Sequence, residues 1–439
     1  MNNIRNIVFA VIIIFIFVYS ILGSSNIKTN ESGYEVENNE ANIKQNESML
    51  GDNQINQDKK ASDNDGNGNL NENINSSNNG KDISNTVIDE NTTEATNELT
   101  EEIKLENKIN DILSKMTVEE KVGQMFFVVD DGRFGSEVLK TIPAGGIILF
   151  ESDFVNKNAD DLNKFINEFQ NNSKIPLLIG VDEEGGTVVR LSNNSSLVES
   201  EFESPRALYE KGGFEAIDND TKNKSDILLK YGINVNFAPI CDYSDVPGSF
   251  IYSRSFGTDI NQLCEYVDRT ITIMKDKKIG SVMKHFPGYG NNGDSHNSVI
   301  HDTRYKREFV NQDWKVFRKG IDAGGDCILV CHNIIECLDE ENPASLSVEV
   351  NKVLREELKF DGVVITDDLK MAGVATLYSE KEVAIKAIMA GNDMLLSTFY
   401  EAQYNAVLEA VKAGTIKEEQ LDASVRRILR WKNSIGILK

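Results

Sequence analysis

Three stretches hold residues whose types and spacing can do chemistry. In the first, Asp367 and Asp368 follow the β-branched run 363–366. A carboxylate at the end of a buried strand costs desolvation free energy unless it has a partner or a task. Such a residue either acts in a reaction or caps the helix that follows, and these two positions allow both. In the second, Asp294 and His296 stand two apart in the glycine-rich loop that ends the stretch 284–296. An Asp oxygen on one ring nitrogen fixes the tautomer and leaves the other nitrogen to give or take a proton. The competing reading is an Asx-turn beside a surface histidine. In the third, Asp182 ends an apolar run and Arg190 follows eight residues later; Arg254 lies in Ser253-Arg254-Ser255-Phe256-Gly257, and Lys284 and His285 are adjacent. Carboxylates and guanidinium groups placed together suit a polyol, through charge-assisted hydrogen bonds, although each also reads as a solvated loop charge. His301, His332 and Asn333 are read as structural.

The elements that must position these groups repeat along the chain. Apolar runs occur at 125–129, 146–150, 177–181, 235–238, 280–283, 327–331, 363–366 and 394–396. Most are separated by segments with helical spacing, such as 162–169, 263–274, 309–320, 348–358 and 381–390. A doubly wound open sheet would alternate in the same way. The count of eight, and polar residues directly after several runs (Asp182, Lys284, His285, His332, Asp367, Ser397), favour a single α/β domain of the (β/α)8 TIM-barrel class over 105–439. Thr117-Val118-Glu119-Glu120 has the form of a capping box and marks an early helix.

Composition constrains the setting. A net charge of -24 and a pI near 4.7 leave nothing to neutralise phosphates, so no nucleic-acid partner is expected, nor binding to an anionic membrane surface. Five cysteines at irregular spacings indicate neither a disulfide framework nor a zinc site. The stretch 7–22 is almost wholly apolar, so residues 1–25 are expected to be a signal peptide or membrane anchor. Residues 26–104 are rich in Asn, Asp, Glu and Ser; they are expected to form a disordered linker, because they cannot bury enough apolar surface to offset chain entropy. The domain is then exported, held to the membrane only through its N-terminal segment or secreted if the leader is cleaved. A monomer is expected.

Taken in order, the motifs resemble glycoside hydrolase family 3, most closely its single-domain β-N-acetylglucosaminidases. The likeness covers about residues 106–439. It rests on 116–125 (Met-Thr-Val-Glu-Glu-Lys-Val-Gly-Gln-Met), 180–186, Asn236-Phe237-Ala238-Pro239, 254–257, 284–296, Pro343-Ala344-Ser345-Leu346-Ser347 and 365–369. The resemblance implies a retaining mechanism with Asp367 as nucleophile, His296 as general acid/base and Asp294 orienting it. It further implies that Asp182, Arg190, Arg254, Lys284 and His285 hold the terminal sugar, with no metal and no cofactor. The expected substrate is a glycan carrying non-reducing terminal β-linked N-acetylglucosamine, such as a peptidoglycan fragment. A β-glucosidase, a phosphorylase and a catalytically dead glycan-binding protein are the alternatives. The chain departs from the common family pattern at Tyr289, where His is frequent, at Glu183, where Gln is frequent, and in a loop one residue shorter.

Overall fold

A computed structural model describes residues 90–130 and 135–438, with side chains from residue 100 onward. The apolar stretch 7–22 and most of the acidic segment lie outside the described residues. Among the described residues ten strands occur: β1 Phe126–Val129, β2 Gly146–Leu149, β3 Leu178–Val181, β4 Val235–Asn236, β5 Gly280–Phe286, β6 His301–Asp302, β7 Cys327–Val330, β8 Ile334–Ile335, β9 Val363–Thr366 and β10 Leu395–Ser397. Eight of them form one parallel sheet in the order β10-β1-β2-β3-β4-β5-β7-β9. The edges meet through a parallel bridge between Ile365 and Met394, and the Met394 amide donates to the Val364 carbonyl. The result is a nearly closed barrel built from the eight runs read in the sequence. The two-residue ladder of β6 and β8, which the sequence pattern did not announce, lies outside it.

The strands are short because a barrel buries both of their faces. Phe127, Ile148, Leu178, Val235, Phe237, Val282, Leu329, Val363, Ile365 and Leu396 form one interior cluster. Gly180 makes room in it, since a Cβ there would stand 2.6 Å from the Phe237 ring and 2.9 Å from Phe127. Helices such as Ala159–Asn171, Ile260–Lys277 and Glu418–Ser434 pack their apolar faces against the outside. The Thr117 capping box is formed, with Glu120 N–H donating to the Thr117 hydroxyl and Thr117 N–H to the Glu120 carboxylate. All five cysteines are free.

Two helices lie outside the helical segments read in the sequence. The first runs Glu90–Lys115 and so begins inside the 26–104 stretch expected to be unstructured. Its C-terminal half buries Ile109 and Leu113, and Glu106 pairs with Arg426 at 2.6 Å and also with Arg430. Glu102, inside the 26–104 stretch, also pairs with Arg430, 328 residues away. The second, Pro205–Lys230, is broken at Gly212 and Gly213, the latter at φ +63°. That break and its many charges hide the helical period.

Candidate active site

The C-terminal ends of the strands carry the chemistry. Asp182 follows β3, and Asn236 on β4 holds the next residue: Glu183 N–H donates to Asn236 Oδ1, and Asn236 Nδ2 donates to the Glu183 carbonyl, both at 3.0 Å. The Glu183 carboxylate is fully buried and accepts from the amides of Arg190 and Leu191 and from Ser192 Oγ. It shapes the turn that presents Arg190. Because every partner is a donor, an acceptor-only carboxylate fits this position.

Glu184 then turns inward. Arg254 donates to it twice, Nε at 3.0 Å and Nη2 at 2.7 Å. Lys284 Nζ lies 2.8 Å from Glu184 and 2.5 Å from Asp182. Burial pushes the Glu184 carboxyl up, but Arg254 and Lys284 outweigh it and hold the group far below the usual carboxylate range. Burial disfavours the Arg254 charge too, yet Glu184 raises its pKa. Arg206, from the broken helix, binds the carbonyls of Tyr252, Ser255 and Phe256 and so fixes the loop bearing Arg254.

Lys284 and His285 are neighbours on β5, yet both face the same cavity. A register shift between Lys284 and Phe286 against β7 accounts for this, since a bulge re-aims one side chain out of alternation. Asp242 fixes His285: its Oδ2 accepts from the ring Nδ1–H at 2.7 Å and from the His285 amide at 3.0 Å. The other ring nitrogen, Nε2, stands 3.3 Å from Arg254 Nη2.

Asp367 continues β9, its amide donating to the Val330 carbonyl. Among the described residues its carboxylate accepts one hydrogen bond, from the Asp368 amide at 2.8 Å. Burial opposes its ionisation, but His332, His285 and His296 nearby bring the pKa below the ordinary Asp value. Asp368 differs: it accepts from Thr398 Oγ1 at 2.6 Å and from the amides of Thr398 and Lys370, and burial raises its pKa. The pair that the sequence left open therefore divides by its partners: both border the cavity, but Asp368 is engaged in closing a turn while Asp367 accepts a single amide. His332 is buried between the Ser345 hydroxyl and the Asp368 carbonyl, and burial lowers its pKa. His301 pairs with Glu336 at the surface.

The loop between β5 and β6 brings Asp294 and His296 over the mouth. His296 Nδ1–H donates to Asp294 Oδ1 at 2.6 Å, and the same oxygen accepts the His296 amide at 2.9 Å. Both readings of this pair hold at once, since an Asx-type turn sets the ring that Asp294 orients. Nε2 is left as the atom that can exchange a proton.

The eight residues to which the resemblance gives roles line one cavity of about 480 Å³: Asp182, Arg190, Arg254, Lys284, His285, Asp294, His296 and Asp367. Apolar side chains line it as well, among them Phe150, Phe237, Phe250, Leu329 and Leu396. The sequence missed Glu184 and Asp242 as site residues. Glu184 stood beside Glu183 with nothing to tell them apart, and the ring partnered by Asp242 is 43 residues away.

A parallel barrel that gathers carboxylates, imidazoles, an ammonium and guanidinium groups at its C-terminal mouth has the layout of a glycosidase. Comparison with known proteins agrees. Residues 117–431 match the model of the glycosyl hydrolase family 3 N-terminal domain. A protein of Vibrio cholerae named beta-hexosaminidase is 31% identical over 309 residues, covering 68% of this chain and 91% of that one. The beta-hexosaminidase LpqI of Mycobacterium tuberculosis is 28% identical over 329 residues, 72% and 83% of the two chains. Among solved structures, a family 3 β-N-acetylglucosaminidase from Paenibacillus superposes with a TM-score of 0.68 at 31% identity, covering 73% of this chain. This chain spans 63% of that neighbour's length. Mycobacterium tuberculosis LpqI gives a TM-score of 0.66 and is covered over 95% of its length. The chain belongs to glycoside hydrolase family 3.

Proposed function

We propose that the protein is a retaining exo-β-N-acetylhexosaminidase that removes non-reducing terminal β-linked N-acetylglucosamine. The observation that carries this reading is the convergence of Asp367 and the Asp294–His296 pair on one cavity that also holds a charged, polyol-binding wall. A closed barrel end of this size accommodates a terminal sugar rather than the middle of a chain. The apolar lining suits the C–H face of a pyranose, and Asp182, Arg190, Arg254, Lys284 and His285 suit its hydroxyl edge.

In this mechanism the Asp367 carboxylate attacks the anomeric carbon while His296 Nε2–H protonates the leaving oxygen. The C–O bond to the aglycone breaks as the bond to Asp367 forms. Water, deprotonated by His296, then releases the sugar with retained configuration. The lowered pKa of Asp367 keeps it ionised for attack. The same reading places the catalytic domain outside the cytoplasmic membrane, held by the apolar stretch 7–22 and acting on cell-wall fragments. Recovery of the full chain only from soluble cytoplasm would overturn that location.

The direct test is hydrolysis of an aryl N-acetyl-β-glucosaminide by the full chain, with the product anomer followed by NMR. Activity should release the β-anomer first, fall by at least about 10³-fold in Asp367→Asn, and fall strongly in His296→Ala. First release of the α-anomer, or unchanged activity in Asp367→Asn, would sink the assignment. An aryl glucoside run in parallel separates glucosidase from hexosaminidase action. Added phosphate, with a search for sugar 1-phosphate, separates phosphorolysis from hydrolysis.

A further inference from the structure

We infer that Tyr289 is a positioning residue for the proton-transfer pair, acting through Ser295; the inference rests on the function proposed above. Tyr289 opens the loop that ends in Asp294, Ser295 and His296, and its side chain is fully buried. Its hydroxyl shares a 2.5 Å hydrogen bond with the hydroxyl of Ser295, which is also fully buried and sits between the two members of the pair. This bond ties the beginning of the loop to its functional end.

Further contacts make the tie rigid. The Tyr289 amide donates to Asp242 Oδ1 at 2.8 Å, so the carboxylate that orients His285 also holds Tyr289. The phenol ring packs edge-on to His285 at 5.2 Å and against Phe250 at 5.2 Å. Phe250 in turn lies 5.9 Å from the His296 ring. Finally, the Ser295 carbonyl accepts the Gly373 amide at 3.0 Å, which seats the loop on the segment just after Asp367. Gly373 is required for this approach, because a Cβ there would stand 2.9 Å from His332 Cβ and 3.2 Å from the Ser295 carbonyl oxygen. Ser295 is thus held from one side by Tyr289 and from the other by the nucleophile's own loop. His296 itself is half exposed and gains its place from this backbone rather than from packing of its ring. In an apolar setting a single satisfied hydroxyl pair is a strong constraint.

The test exploits leaving-group chemistry. A general acid matters for a poor leaving group such as phenoxide and hardly at all for 2,4-dinitrophenolate, which departs without a proton. kcat/KM reports the first irreversible step, in which the glycosidic bond breaks. In the full chain, Tyr289→Phe should lower kcat/KM for the phenyl N-acetyl-β-glucosaminide about tenfold and leave the dinitrophenyl glycoside within about twofold. Ser295→Ala should show the same pattern, and the double variant should be no worse than either single one. The phenylalanine keeps the ring contacts, so the fold should persist with a melting temperature only a few degrees lower, the loss coming from the buried Ser295 hydroxyl left without its partner. Should Tyr289→Phe lower both glycosides equally, or neither, while His296→Ala shows the leaving-group dependence, the positioning role is overturned and the proposed function stands. Should the parent cleave neither glycoside, the proposed function fails and this inference with it.

Discussion

The two ends of the barrel each bury a lysine, and they solve the problem differently. At the C-terminal mouth Lys284 is 3% exposed and touches two carboxylates, Asp182 at 2.5 Å and Glu184 at 2.8 Å. At the opposite end Lys432 is 0% exposed, and its amine donates to Gln124 Oε1 at 2.6 Å, an uncharged partner. Burial therefore lowers the Lys432 pKa to about 7. A buried cation is costly unless matched by an anion and further hydrogen bonds. The mouth supplies that match and uses it to hold a charged, prearranged surface where a sugar would bind. The other end supplies length and a hydrogen bond, with no ionic match.

Breaking the mouth should have the largest effect. In Lys284→Met, Asp182 and Glu184 lose their shared cation, leaving Arg254 as the principal counter-charge to Glu184. We expect kcat/KM to fall by at least about 10³-fold and stability by about 3 kcal/mol. Steady-state kinetics and thermal melting measure the two losses. A variant that melts normally and keeps its activity would show that the Asp182–Lys284–Glu184 cluster is surface decoration, and the contrast between the two lysines would collapse.

How this contrast arises also explains what could be read from the sequence. The eight strands were legible because each is a short apolar run, and strand-end polar residues pointed to the mouth. Asp367 and the Asp294–His296 pair stood out as candidates because their signals are local, a carboxylate after a β-branched run and two residues in one turn, but those signals left capping and Asx-turn readings open and only the family resemblance implied roles for them. Glu184 and Asp242 were not. Glu184 gains its meaning from Arg254, 70 residues away, and from Lys284, 100 positions on. Lys432 reads as a polar position on an amphipathic helix, and only the partner 308 residues distant shows that it is inside. Local chemistry is written in sequence; the matching of buried charges is written in topology.

A subtler change at the mouth sharpens the comparison. Among the described residues no hydrogen bond or ion pair joins the Asp242 side chain to Lys284; it holds His285 and Tyr289 through three hydrogen bonds, accepting in each. Asp242→Asn keeps the size but turns an amide NH2 toward at least one N–H. The His285 tautomer and the amide of Tyr289 would both loosen. We expect kcat/KM to fall about 10- to 100-fold, in the range seen when an orienting partner is lost. Because His285 is assigned to sugar binding, the loss should fall on KM more than on kcat. A loss wholly in kcat would instead assign His285 to the chemical step.

The smallest effect on activity, and the only gain in stability, should come from the other end. Lys432→Met keeps the length of the side chain and removes the charge that burial penalises. Below pH 7 both the folded and the unfolded chain hold the Lys432 proton, so the penalty is constant. Between about pH 7, where the folded group titrates, and about 10.5, where the unfolded one does, the unfolded chain binds the extra proton. Native stability therefore rises with pH across that window, by at most about 1.4 kcal/mol per unit from this one group. The methionine variant lacks the term. Gln124 loses a donor in it, an offset of about 1–2 kcal/mol. At pH 7 the variant should still be more stable than the parent by about 2 kcal/mol, with unchanged kcat/KM. Its advantage should shrink steadily toward pH 10 and reverse where the parent lysine is neutral in both states. Denaturant unfolding of the two proteins side by side at several pH values measures that difference directly. A difference that does not vary with pH would mean that Lys432 keeps its charge in the folded protein. The barrel would then match its buried cations at both ends, and the contrast with Lys284 would be one of purpose alone.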